Sequence, residues 1–336
     1  MILIDAIYVD NGGGTKILLD YLIAELEKTD KHIYYLLDER IKNNVQAIKP
    51  TNVLKFAKSG IRERSRFYQI HQSGFSTVLC LGVVPPTIRL NIKVFIYFQQ
   101  SLYLERPTGV PFLFSVKLFL KIAIIKFLKK NADFWLVQTD LMKGKLGEKF
   151  GIAAEKILKL PFYPKLTEEI TQEGKKGQYI YVSNGVPHKN HVRLIEAFSN
   201  FYKKHKRGKL VLTISEKFLA LRQLIAQKQK AGIPIENVGF LSHSTLKKYY
   251  LQSEYLIFPS LAESFGLGLV EAIENGCKVI GADLPYTYAV CKPSLTFNPI
   301  DVYSIEESFR VSFFENLEPS EVKISDKIDE VISLLN

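Results

Sequence analysis

Short runs of β-branched and aromatic residues alternate with longer stretches whose apolar positions recur at helical spacing, and the alternation continues along the whole chain. This pattern predicts βα units and a parallel sheet: buried parallel strands read as brief apolar runs, and crossover helices as amphipathic ones. In the first half the predicted strands are MILIDAIYV, HIYYLLD, NVLKFA, TVLCLG, KVFIYFQ, DFWLVQ and KILKLP. In the second half they are QYIYVS, KLVLTI, NVGFL, YLIFPS, KVIGAD and LTFNP. Between the two sets lies FYPKLTEEITQEGKKGQ, polar, charged and closed by glycine, which has the character of a linker.

The expected architecture is α/β, with two doubly wound, Rossmann-like domains. We place the first at residues 1–164, the linker at 165–177 and the second domain at 178–320. A final helix at 321–336 follows from the helical spacing of Val322, Ile324, Ile328, Val331, Ile332 and Leu335. It either caps the second domain or crosses back to the first. A chain of 336 residues also exceeds the size at which one hydrophobic core stops growing.

Composition adds two points. The three cysteines, Cys80, Cys277 and Cys291, are odd in number and unclustered, which argues for reduced, buried thiols in a cytoplasmic protein and against a disulfide framework or zinc site. The opening MILIDAIYVD has no basic region before its apolar run and is expected to be a first strand, not a signal peptide. The net charge of +11 is one-sided: residues 1–164 hold 24 Lys and Arg against 14 Asp and Glu, and the remainder is nearly balanced. Such a bias suggests an anionic surface as partner. Nucleic acid is disfavoured, because the basic stretch lacks the interleaved arginines and aromatics of a stacking platform.

Candidate chemistry concentrates in AESFGLGLVEA, where Glu263 and Glu271 stand eight residues apart across a strand-to-helix junction. Taken alone, the fragment leaves open an acid/base pair, a metal site, two hydroxyl-binding groups or a solvated helix start. Glu263 precedes the predicted helix and Glu271 lies inside it, so the two do not share a helical face and a common metal site is disfavoured. Gly266 and Gly268 would let a ligand approach the backbone, and a helix N-terminus suits a phosphate. Upstream, YVSNGVPHKNHVRLIEAF places Asn184 and Lys189 in a loop after another strand of the same predicted sheet, where a lysine can meet a diphosphate. His188 and His191 lack the further ligands that a metal requires.

With these segments in view, the second half resembles the family 4 retaining, nucleotide-sugar-dependent glycosyltransferases of GT-B fold, in which two Rossmann-like domains face each other across a cleft. The resemblance covers Gln178 to Tyr288 and rests on ESFGLGLVE after PSL, a Glu-x7-Glu spacing. The first half resembles the family more weakly, through DNGGGTKILLDYLIAEL and ADFWLVQTDLMKGKLGEKFG.

What the resemblance implies is specific. Glu271 would hold the ribose diol, Glu263 would face the donor sugar, and Ser264, Phe265, Gly266, Leu267, Gly268 and Leu269 would offer backbone N–H groups. Lys189 would neutralise the departing diphosphate, and Gly239 and Phe240 would lie at the base. Gly13 and Gly14 would let the first domain close over the donor. The implied activity is metal-independent, retaining sugar transfer from a nucleotide-diphosphate sugar to a saccharide, with no cofactor. Glu263 and Lys189 are the candidate catalytic residues. Transfer would be front-face, with the leaving phosphate helping to deprotonate the acceptor. Two departures stand out: Asn184 occupies a position where the family often has Arg, and Gln99 or Gln100 a region where it often has His. A nucleotide-sugar epimerase of the same fold and a non-catalytic nucleotide-sugar-binding protein are the alternatives.

VPFLFSVKLFLKIAIIKFLKK carries Lys117, Lys121, Lys126, Lys129 and Lys130 and no acidic residue. Its lysines interrupt it too often for a membrane-spanning helix. Two readings remain, an interfacial helix on anionic lipid or a core helix with solvated lysine tips. On the first, the protein sits peripherally at the inner face of the cell membrane. The acceptor is then expected to be a lipid-linked saccharide, as in capsule, O-antigen or exopolysaccharide assembly.

Overall fold

The computed structural model describes residues 1–11, 13–105, 112–166 and 174–336; of residues 112–117 and 244 it describes the backbone alone. They fold into two compact units. The first takes 1–105, 112–164 and 325–336, and the second takes 165–166 and 174–324.

The first unit is built on a seven-stranded sheet of β1 (Ile2–Ala6), β2 (Ile33–Asp38), β3 (Val53–Ala57), β4 (Thr77–Cys80), β5 (Lys93–Tyr97), β6 (Phe134–Val137) and β7 (Ile157–Lys159). The spatial order is β3-β2-β1-β4-β5-β6-β7, and the strand pairs are parallel. Its helices are α1 (Gly14–Leu26), α2 (Ile61–His71), α3 (Phe112–Leu128) and α4 (Asp140–Phe150). The central strands β1 and β4 are buried along their length, which is why they read as predominantly apolar runs, broken in β1 only by Asp5. One core cluster gathers Leu3, Val78, Ile96, Trp135 and Val137 from four strands with Tyr68, Ile125 and Leu146 from the covering helices.

The order reverses between β1 and β4, and the carboxyl ends of these strands carry a buried polar cluster that the sequence did not announce. Arg64 Nε donates to Asp5 Oδ2 at 2.6 Å, both side chains 1% exposed, and Arg64 Nη1 donates to the carbonyls of Val84 at 2.8 Å and Pro85 at 3.0 Å. Tyr68 also donates to Asp5. An unpaired charge at this depth would be prohibitively costly, so guanidinium and carboxylate are buried together with their hydrogen bonds filled. The cluster anchors a loop in which Val83 adopts φ 56°, a strained conformation for a β-branched residue.

The second unit has a six-stranded sheet. Its strands are β8 (Lys175–Tyr181), β9 (Lys209–Leu212), β10 (Ile235–Asn237), β11 (Ser253–Phe258), β12 (Lys278–Ala282) and β14 (Leu295–Phe297), in the order β10-β9-β8-β11-β12-β14. These pairs too are parallel. A two-stranded antiparallel ribbon pairs β13 (Cys291–Lys292) with β15 (Glu321–Val322). The helices are α5 (His191–His205), α6 (Leu219–Lys230), α7 (His243–Gln252), α8 (Leu267–Glu274), α9 (Pro285–Val290) and α10 (Val302–Phe314). A last helix, α11 (Ile328–Leu334), lies in the first unit. There Asp326, just before it, accepts from Tyr21 Oη at 2.6 Å and from the Tyr163 N–H at 3.2 Å.

Three expected boundaries shift. The closing helix, expected over 321–336, is α11 at Ile328–Leu334 only, because Glu321–Val322 pair as strand β15. The strand is not NVGFL but β10 at Ile235–Asn237, which ends on the first residue of that segment, and Gly239 at φ +73° breaks the extended run. The first strand of the second unit starts at Lys175, inside the stretch we expected to be linker; residues 167–173 of that linker lie outside the described residues. All three cysteines are free and buried, and burial pushes each thiol up to about 12, leaving them protonated and unreactive.

Candidate functional site

The expected donor-site residues gather at the carboxyl edge of the second sheet, on the loops that follow β8 and β11, its two switch-point strands. After β11, Pro259 ends the strand and the chain turns through Ser260 to Gly266 into α8. Gly266 is the N-cap at φ +74°, ψ +48°, a left-handed conformation that favours glycine. It has no side chain with which to cap the turn. The first N–H groups of α8, at the positive end of the helix dipole, are therefore left for an outside acceptor. At the other end Gly276 (φ +84°) closes the helix: its N–H donates to Ile273 O and the Cys277 N–H to Ala272 O, the double bond pattern of a Schellman stop.

A Cβ on Gly266 would lie 3.0 Å from the Leu269 side chain, and one on Gly268 would lie 3.4 Å from the Phe258 ring and 3.5 Å from Tyr250 Oη. Both open sides face protein. Gly266 answers the backbone conformation, whereas a Cβ on Gly268 would make only ordinary contacts with Phe258 and Tyr250.

Lys189 and Glu263 meet directly. Lys189 Nζ donates to Glu263 Oε1 at 2.5 Å, with both side chains largely buried. The loop carrying Lys189 is fixed from three directions. Tyr181 Oη donates to the Lys189 carbonyl at 2.9 Å and lies 2.8 Å from Ser260 Oγ. Leu261 N–H donates to the His188 carbonyl at 2.8 Å, joining this loop to that of Glu263. Asn190, left-handed at φ 62°, donates from Nδ2 to the carbonyls of Pro259 (3.1 Å) and Pro299 (2.7 Å). Asparagine tolerates that conformation, and its side chain here replaces missing backbone partners. Tyr286 Oη then donates to the Ser260 carbonyl at 2.7 Å.

Glu271 sits on α8 with only 3% of its surface exposed. Its Oε2 accepts from Tyr250 Oη at 3.0 Å, and its Oε1 lies 2.9 Å from His243 Nε2. Burial and the adjacent Glu271 raise the Tyr250 hydroxyl well above its ordinary range, so it stays protonated and donates. Two donors leave lone pairs on both carboxylate oxygens, so the group can accept two more hydrogen bonds.

The neighbouring histidines are held neutral. Burial, helped by the charge of Lys189, lowers His188 to about 4 and His191 to about 3. His191 packs against Tyr181 with the rings tilted by 37° and their centroids 4.7 Å apart, and neither of its ring nitrogens has a hydrogen-bond partner. Among the described residues no group of three His, Cys, Asp or Glu is placed to hold a metal ion.

Other expected site residues fall outside this core. Asn184 is exposed, and its Oδ1 accepts from the Val186 N–H at 3.4 Å within its own loop. Ser264 and Leu267 are partly exposed on the turn, while Phe265 and Leu269 are buried. Gly239 turns the chain and leaves the Phe240 ring 77% exposed. In the first unit Gly13 (φ +82°) is the N-cap of α1, and Gly14 is its first residue with open space on its Cβ side. Gln99 is buried, its amide donating to the Leu81 carbonyl at 3.1 Å, whereas Gln100 is exposed. Sequence reasoning missed His243, Tyr250, Tyr181, Ser260, Tyr286 and Asn190. Only Asn190, placed just before an amphipathic helix, carried a local signal.

Residues 163–294 match the family of glycosyl transferases group 1. That segment is similar to the group 1 glycosyltransferases, and the fold of the chain is GT-B. Over 166 residues it is 29% identical to the UDP-N-acetylglucosamine–peptide N-acetylglucosaminyltransferase GtfA subunit of Streptococcus pneumoniae, covering 46% of this chain and 31% of that protein. Over 212 residues it is 23% identical to the O-antigen chain mannosyltransferase RfbU of Salmonella typhimurium, covering 61% and 58%. The matched regions thus span less than two thirds of either relative. In fold it is similar to sucrose-phosphate synthase from Thermosynechococcus elongatus, with a TM-score of 0.72 at 16% identity over 92% of this chain and 88% of that one.

Proposed function

We propose that the chain is a metal-independent, retaining glycosyltransferase that moves a sugar from a nucleotide-diphosphate donor to a saccharide. The observation that carries this reading is the uncapped start of α8, with the Lys189–Glu263 pair at one side and the doubly held Glu271 one helical stretch further on. Glu271 takes the ribose diol with its two remaining acceptor positions. The N–H groups of the turn and Lys189 receive the diphosphate, and Glu263 accepts from donor-sugar hydroxyls.

In the reaction the bond from the anomeric carbon to the phosphate oxygen breaks. The acceptor oxygen bonds to that carbon on the same face, and the acceptor proton passes to the departing phosphate oxygen. Stabilising the growing phosphate charge is the protein's main task, and the helix N-terminus together with Lys189, once it passes from Glu263 to the diphosphate, supplies that stabilisation. Before donor arrives, Glu263 keeps Lys189 neutralised and aimed. His188 and His191, lowered by burial, are poor proton acceptors near neutral pH, which agrees with a route that uses no histidine base.

The similarity to an O-antigen chain mannosyltransferase supports an acceptor from O-antigen-type polysaccharide assembly; we propose that this acceptor is carried on a lipid. The test is a panel of nucleotide sugars scored by thermal shift, then by nucleoside diphosphate release with and without lipid-linked saccharide acceptors. One donor should stabilise the protein, with fast release only when acceptor is present and the donor's anomeric configuration kept in the product. A changed sugar without acceptor would mean an epimerase. Binding with no turnover on any acceptor would mean a non-catalytic binding protein.

A further inference from the structure

The remaining unexplained feature is the outward side of α3. From Leu118 onward the helix divides into two apolar sides at about 100° per residue. Leu118, Ile125 and Leu128 turn into the core of the first unit. On the opposite side Phe119, Leu120, Ala123 and Phe127 share an arc of about 100°. Phe119 is 69% exposed, Leu120 58% and Phe127 74%. Three large apolar side chains on one exposed stripe are what an interaction surface requires and a solvated helix avoids. Lys126 is exposed beside the stripe, and Lys130 just beyond the helix places Nζ 5.8 Å from the centre of the Phe127 ring; Lys121, also exposed, lies on the other side of the helix.

Lys129 is different: its Nζ donates to the Phe150 carbonyl at 2.5 Å, at the C-terminus of α4. That corrects our expectation of a membrane contact there, since a lysine is drawn to the unpaired carbonyls at a helix end. The side chain of Lys117 lies outside the described residues.

We propose that this face of α3 docks the chain onto an anionic lipid bilayer, with Phe119, Leu120 and Phe127 in the headgroup–acyl boundary and Lys126 and Lys130 on the phosphates. Charge complementarity selects the bilayer. Between Val110 and Lys130 there is no acidic residue, so a second copy set against this face would bring lysine to lysine with nothing to neutralise it. A purely apolar partner would bury the stripe and strand the lysines. Lipid of negative charge satisfies both, and no helix among the described residues is long and apolar enough to cross it. The proposal deepens the reading of a lipid-linked acceptor, but the binding itself needs neither donor nor acceptor.

The test is co-sedimentation of the full chain with vesicles of phosphatidylcholine alone or with phosphatidylglycerol. Binding should require phosphatidylglycerol and weaken as salt rises. Replacing two lysines together, Lys126→Gln with Lys130→Gln, should lower partition by about 30-fold, the effect of two surface charges. Phe119→Ser with Phe127→Ser should abolish binding. Unchanged Trp135 fluorescence and melting would show that each variant is folded. No binding by the wild type, or equal binding to both vesicles, overturns the proposal. So does a concentration-dependent dimer that Phe127→Ser dissolves. If vesicle binding holds while no donor is ever turned over, the surface stands and the transferase reading falls.

Discussion

Lys189 and Glu263 form an ion pair with most of its surface withdrawn from water, and Glu271 is buried against two donors. The two carboxylates are therefore prepared differently. Glu271 is already fixed by His243 and Tyr250 and is suited to static recognition, whereas Glu263 is tied to the one cation expected to change partners during reaction. Glu271→Ala should weaken donor binding by about tenfold or more, the cost of a lost hydrogen bond to a charged group. Glu263→Ala should chiefly lower kcat. Donor affinity by calorimetry, read beside single-turnover rates, checks the division. An equal loss of affinity in both variants with intact turnover would refute it. None of the partners of Glu271 was legible in the sequence. His243 and Tyr250 lie 28 and 21 residues away in the chain and reach it only because α7 and α8 both pack beside β11.

At the scale of the elements, the loop between β8 and α5 carries an acid sensitivity that the structure explains. His188 titrates near 4 and His191 near 3 when folded, both below the ordinary 6.5. Between those limits the unfolded chain binds more protons than the folded one, so stability falls as pH drops from about 6.5 toward 4. His191→Phe should flatten this dependence. It should also add about 1 kcal/mol at neutral pH, because it removes two buried nitrogens without partners and keeps the ring against Tyr181. Urea unfolding followed by circular dichroism at pH 7 and pH 5 tests both. In the sequence His191 raised a metal reading, which failed for want of further ligands. Burial on one side and Tyr181 on the other decided for packing, and no periodicity encodes that.

At the scale of the whole molecule, the closing segment belongs to the first unit although it follows the second in sequence. Ile328, Val331, Ile332 and Leu335 are buried there, and Asp326 binds Tyr21 and Tyr163. Removing residues 325–336 should cost the first unit at least about 3 kcal/mol, since each buried aliphatic side chain is worth about 1.5–3 kcal/mol. The single tryptophan, Trp135, is buried in that unit, so its fluorescence reports the loss directly. A donor that binds the second unit should still stabilise the truncated protein; failure of that shift would show that the segment supports both.

The chain's own pattern determined the α/β class, the strands of the first sheet and the Glu-x7-Glu junction, because period, turn residues and helix stops are local properties. Tertiary structure decided what no local rule reaches. It paired Lys189 with Glu263 across 74 residues, turned Gly266 and Gly268 toward protein, drew Lys129 to the end of α4 and returned α11 to the first unit. Each of these depends on which buried or charged group lies nearest once the sheets are formed. That proximity is set by the order in which strands pair, and the order reverses at β1–β4 and β8–β11, not by their order along the chain.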